Sequence, residues 1–182
     1  MKNVLIAFAV LAAIPAAAET ARPYAGLETR DIKALAPDRI EALLEGRGLS
    51  YALAAELNGL PGPRHALDLR EDLNLDVDQV ARLAAIFDRM QADAIPLRRA
   101  IVATESELDR AFASGTDPVT VSALTARIAA LDGELRAVHL NAHLATAPLL
   151  TAQQRLMYGK ARGYRAQTSG DRLGGAHGGH GN

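Results

Sequence analysis

The stretch VDQVARLAAIFDRMQADAIPLRRAIVATESELDRAFASGTDPVTVSALTARIAALDGELRAVHLNAHLA, from Val77 to Ala145, decides the fold. In its first half Val80, Leu83, Phe87, Met90, Ala94, Leu97, Ile101, Leu108 and Ala111 recur in steps of three and four, broken only at Thr104. That spacing keeps them on one stripe of a helix. Val121, Leu124, Ile128, Leu131, Leu135, Val138, Ala142 and Ala145 repeat the pattern in the second half. Between the halves, Ser114-Gly115-Thr116-Asp117-Pro118 supplies a stop and a restart. Gly115 can adopt a left-handed exit, Asp117 can cap the next helix, and Pro118 suits a first helical turn. The expected fold is all-α: an elongated antiparallel hairpin of long helices with a short N-terminal helical brace and a C-terminal helix. At ~1.5 Å per residue the first arm spans about 50 Å. Pro96, inside that arm, predicts a kink.

Outward from the hairpin, two caps mark where helices begin. In Leu75-Asp76-Val77-Asp78-Gln79, Asp76 is a natural N-cap and Gln79 lies three residues on, where its amide reaches back to the cap backbone. Leu150-Thr151-Ala152-Gln153-Gln154 repeats the device with Thr151 and Gln154, opening a last helix to about Arg162. Upstream, helical turns are expected over 30–35, from Pro37 to Glu45, over 49–57 and over 65–72, interrupted by Gly46, Gly48, Asn58-Gly59 and the Leu60-Pro61-Gly62-Pro63 turn.

Residues 1–18 carry Lys2, an apolar run from Val4 to Ile14, Pro15 and the small residues Ala16-Ala17-Ala18. This is the pattern of a secretory signal cleaved near Ala18, and the run is shorter than the ~20 residues a membrane span needs. The expected organisation is therefore a signal peptide (1–18), an N-terminal helical extension (19–68), a hairpin domain (69–165) and a glycine- and histidine-containing tail (166–182). The tail has too little apolar surface to fold. The 182 residues contain no cysteine, so an exported chain has neither disulfides nor thiolate metal sites, and any metal site must use His and carboxylates. A net charge of -1, with charges interspersed, points away from nucleic acid. Aromatic residues make up only 4% and Trp is absent, which argues against a large sandwich or barrel.

An exported, cysteine-free helical chain with an LTxxQ sequence at Leu150, Thr151 and Gln154 and an LDxxQ copy at Leu75, Asp76 and Gln79 resembles the Spy/CpxP family of periplasmic proteins. It is also similar to the CnrX- and ZraP-like heavy-metal resistance and sensor branch. The likeness spans roughly residues 69–164. Asp76 stands where that family usually has Thr, which preserves capping but not a hydroxyl. The resemblance implies a homodimeric, periplasmic, ATP-independent holdase for unfolded envelope proteins, or an adaptor that dampens a stress-sensor kinase. In the other branch it implies a sensor of zinc, copper, nickel or cobalt.

His139 and His143 stand one helical turn apart, the spacing that a divalent metal can bridge. Antiparallel pairing sets them opposite Asp88 to Asp93, making Asp88, Asp93 and, for soft copper, Met90 candidate further ligands. The competing reading is a pair of half-buried histidines in helix-to-helix hydrogen bonds. His177 and His180 in the tail either bind metal weakly or belong to a plain polar end, and His65 is read as structural. Arg98, Arg99, Glu105, Glu107, Asp109 and Arg110 read as a solvated face. In the chaperone reading Arg82, Arg89, Arg98 and Arg99 border apolar groups and attract acidic unfolded clients. No nucleophile and base, phosphate loop or carboxylate pair in a pocket is legible, so neither an enzyme nor a bound nucleotide is expected. A two-helix hairpin exposes apolar stripe that a brace covers only in part, and a homodimer is expected on that ground too.

Overall fold

The structure is a computed structural model, and it describes residues 22–164; the signal segment with its cleavage site and the tail with His177 and His180 lie outside the described residues. Among the described residues all regular structure is helical. Helices α1 (Pro37–Leu44), α2 (Leu53–Glu56) and α3 (Pro63–Asp68) precede the long arms α4 (Val77–Ser114) and α5 (Pro118–Thr146), and α6 (Ala152–Ala161) follows. Short 3₁₀ turns lie at Leu27–Thr29 and Ala147–Leu149. No helix among them is long and apolar enough to cross a membrane.

The arms form where periodicity and caps agree. Asp76 accepts the Gln79 backbone N–H at 2.7 Å, and the Gln79 amide oxygen accepts the Asp76 N–H at 3.1 Å. Asp117 caps α5 through the Val119 and Thr120 N–H groups, and Gly115 turns the chain with a φ of 84°. Thr104 does not break the stripe: it is buried, and its hydroxyl donates to the Ala100 carbonyl at 2.8 Å. Helix α4 continues through Pro96, which is exposed.

The second stripe drifts. Toward the end of α5 the buried residues are Leu135, His139, Ala142, His143 and Thr146, while Ala145 is exposed. The brace is more broken than its sequence suggests. The 49–57 helix shrinks to Leu53–Glu56 because Leu49 and Ser50 adopt left-handed backbone (φ 44° and 62°), which non-glycine residues adopt only under tertiary constraint. Turns replace the expected helix over 30–35, and the 65–72 helix is found at Pro63–Asp68.

Two cores result. At the base, Ala66, Leu73, Leu83, Leu150 and Tyr158 pack together. Farther along the arms, Leu43 and Tyr51 of the brace are sunk among Ala94, Ile101 and Leu135. Burial of such side chains contributes roughly 1.5–3 kcal/mol each, and this holds short helices that are too brief to persist alone.

Candidate functional site

At the base the two glutamines of the repeated motif meet. Gln79 Nε2 donates to Gln154 Oε1 at 2.9 Å and to the Leu149 carbonyl at 2.7 Å; Gln154 Nε2 donates to Gln79 Oε1 at 3.0 Å and to the Leu73 carbonyl at 3.3 Å. Each amide oxygen also accepts its own cap's N–H, from Asp76 in one case and Thr151 in the other. Every donor and acceptor of both amides is therefore used. The motif residues Leu75, Asp76, Gln79, Leu150, Thr151 and Gln154 thus form a clamp that joins the start of α4 to the start of α6.

The seam between brace and arms is chemically richer. Glu56, at the end of α2, is buried, with its side chain 7% exposed. Its Oε1 accepts Tyr158 Oη at 2.6 Å, Tyr164 Oη at 3.0 Å and Arg162 Nε at 3.3 Å. Its Oε2 is buried without a hydrogen-bond partner, and His143 Nδ1 stands 3.6 Å away. Burial pushes the Glu56 carboxyl up, but the neighbouring His65, the Tyr158 and Tyr164 hydroxyls and His143 outweigh it and bring it down to about 2. Burial, with the hydrogen bond to Glu56, also holds the Tyr158 phenol far above its ordinary value.

The two histidines face this seam. His143 Nδ1 donates to the Leu60 carbonyl at 2.7 Å, since a carbonyl only accepts. Its other edge lies against Gly62, where an added Cβ would sit 2.8 Å from Nε2. That close approach accounts for glycine between the two prolines. His139 stacks on Tyr51, with ring centroids 5.7 Å apart and planes 5° from parallel. Its Nε2 accepts Arg98 Nη2 at 3.2 Å, because arginine has no acceptor, so neutral His139 carries its proton on Nδ1. Burial, then the Arg98 charge and His143, lower His139 to about 4. The Tyr51 hydroxyl donates to Asp132 at 2.6 Å; burial and that bond push it up to about 12.

Several expectations are corrected here. Arg98 is no client-facing surface residue: it is 3% exposed, donates to Gln91 Oε1 at 3.0 Å and to His139, and lies against Gly46 of the brace. Among the described residues no carboxylate pairs with it. One turn beyond buried Ala94, it lies on the face of α4 that the brace covers, whereas Arg82, Arg89 and Arg99 are exposed as expected. Asp88 and Asp93 are not gathered with the histidines. Both are exposed, and Asp93 faces Arg89 at 4.0 Å on the solvent side of α4, one turn along the same helix. Met90 is buried at the seam. With His139 Nε2 engaged by Arg98 and His143 Nε2 against Gly62, the two rings do not offer lone pairs to one ion. No group of three or more His, Asp or Glu among the described residues has metal-holding geometry. Asp109 is not part of a solvated face either: it receives the Lys33 N–H and the Lys33 Nζ, both at 3.0 Å, and ties the brace down.

Between brace and arms lies a cavity of about 510 Å³ with Leu49, Glu56, His65, Met90, His139 and His143 among its walls. The residues that sequence reasoning missed are Glu56, Tyr51, Tyr158, Arg162 and Tyr164. A faint signal existed, for three of the chain's four tyrosines converge on this seam, and Glu56 interrupts an otherwise apolar run after Leu53. Comparison of the chain with family models, curated proteins and solved structures found no match.

Proposed function

We propose that the chain is an exported, non-enzymatic binding protein of the Spy/CpxP kind, an ATP-independent holdase or envelope-stress adaptor working in the periplasm as a homodimer. The observation that carries this reading is the set of large apolar side chains left in solvent on the long arms. Phe112 and Val119 at the hairpin tip are 61% and 78% exposed, and Ile95 and Leu144 are 42% and 57% exposed. A single layer of two helices has no second layer to cover them. Exposed apolar groups on arms that also carry the exposed cations Arg82, Arg89 and Arg99 suit an acidic, unfolded polypeptide.

The test is suppression of aggregation of an unrelated denatured protein, without nucleotide or metal. Stoichiometric protein is expected to slow aggregation severalfold, and light scattering is expected to give a dimer mass. Unchanged aggregation overturns the holdase reading. The alternative, a metal-binding sensor using His139 and His143, draws on their shared place beside the cavity and requires the Arg98 contact to be given up. It is tested by thermal unfolding with zinc, copper, nickel or cobalt, where a bound ion adds about 2.7 kcal/mol at a hundredfold excess over Kd.

A further inference from the structure

We propose that the brace is a self-docked stand-in for a bound polypeptide: residues 33–60 occupy an apolar seat on the arms that an unfolded client segment takes when the brace lifts away. This rests on the holdase reading and names where on the hairpin the client lies. The seat consists of Ala94 and Ile101 of α4 and Leu135 of α5, and the brace fills it with Leu43 and Tyr51. What the seat accepts is therefore written in the brace itself. It takes an extended or briefly helical segment with one aliphatic and one aromatic side chain eight residues apart in sequence, the polar tip of the aromatic one reaching Asp132.

Four features mark the cover as releasable rather than a permanent core. Its two helices are eight and four residues long, below the ~12 residues at which a helix begins to persist alone. It holds Leu49 and Ser50 in left-handed backbone, a strain relieved on lifting. It traps the unpaired Arg98 charge and the bare Glu56 Oε2, both of which regain water when the cover leaves. It leaves a cavity of about 510 Å³ between part of itself and the arms. The cover also wastes apolar surface, leaving Leu44, Leu53 and Leu57 about half exposed. Apart from the Leu43 and Tyr51 packing, its attachments, Lys33 to Asp109, Tyr51 to Asp132 and the Glu56 cluster, are polar contacts that water can replace.

The experiment locks the cover. The chain lacks cysteine, so Lys33→Cys with Asp109→Cys can be bridged by a short bis-maleimide without side reactions. With its other end continuous into α3, the bridged brace is tied at both ends. A reduced, carboxymethylated unfolded protein serves as client. The bridged form is expected to lose at least fivefold in aggregation suppression relative to the same variant left unbridged and capped with N-ethylmaleimide. Equal suppression by the two forms overturns the proposal. Amide hydrogen exchange on the unmodified full chain provides a readout independent of holdase activity. Residues 37–60 are expected to exchange at least tenfold faster than 94–101, and faster still with client. Equal protection of brace and arms overturns the cover even if the chain holds clients. A fast-exchanging brace in a chain that suppresses nothing instead overturns the holdase reading.

Discussion

At the base of the hairpin every hydrogen-bonding atom of Gln79 and Gln154 is used and Leu83 is fully buried, whereas under the brace Glu56 leaves one oxygen bare and Arg98 has only neutral partners. Both regions bury polar groups against apolar cores. The base does so with neutral amides that satisfy one another completely, so little desolvation is left uncompensated. The seam does so with full charges, a cavity and strained backbone, which together favour opening. One chain thus joins its arms firmly at one place and covers them loosely at another. Local stability is expected to follow that division.

The largest effect is expected at the base. Leu83→Ala should lower global stability by about 3–4 kcal/mol, read from urea unfolding, because a fully buried leucine leaves a cavity that helices clamped by Gln79 and Gln154 cannot close. A loss under about 1 kcal/mol would mean that the base is no tighter than the seam. Glu56→Ala should come next, at about 2 kcal/mol, since Tyr158, Tyr164 and Arg162 lose a common acceptor. Its signature should be local, with exchange rising over 37–60 while the arms stay protected. Global unfolding in one step would erase the distinction between the two regions.

Gln154→Ala should remove about 1.5 kcal/mol, because one substitution takes away a capping-box partner and both amide contacts to Gln79. Gln79→Ala should cost a similar amount, and the double variant should cost clearly less than the sum, since the two share bonds. Acid should weaken the seam. His139 sits at about 4 in the folded chain against an ordinary 6.5, so its contribution is complete above pH 6.5 and is lost as pH falls toward 4. Glu56 sits at about 2 against 4.5, so its contribution is complete above pH 4.5 and is lost on the way to 2. Brace exchange, corrected for intrinsic rates, should therefore accelerate on acidification before the arms respond. The smallest effect belongs to Arg89→Ala, under about 0.5 kcal/mol, since its side chain is exposed and its pairing with Asp93 is long.

The hairpin was legible because its signals are local and agree. Helical spacing, the Asp76, Asp117 and Thr151 caps and the Gly115 turn all act within a few residues, so each arm begins and ends where its own sequence says. The candidate site was not legible in the same way. His139 and His143 were visible as a pair one turn apart, but a helical wheel does not say what lies opposite. Placing them against Asp88 and Asp93 assumed that only the other arm could be there. The brace was there instead, and it turned His139 toward Tyr51 and Arg98, and His143 toward Leu60 and Gly62. Arg98 shows the same limit: its type suggested the surface, yet a segment some fifty residues upstream buries it.

By itself, then, the sequence determined the helices, their direction reversal and the paired glutamine motifs, because hydrogen bonds and side-chain spacing within one helix settle those. Only the tertiary structure decided that Glu56 gathers Tyr158, Arg162 and Tyr164 from the far end of the chain, and that the brace seals Arg98 and the histidines beneath it. The brace has little regular structure of its own to read. Its path is set by which pieces of arm surface its few sunk side chains can reach.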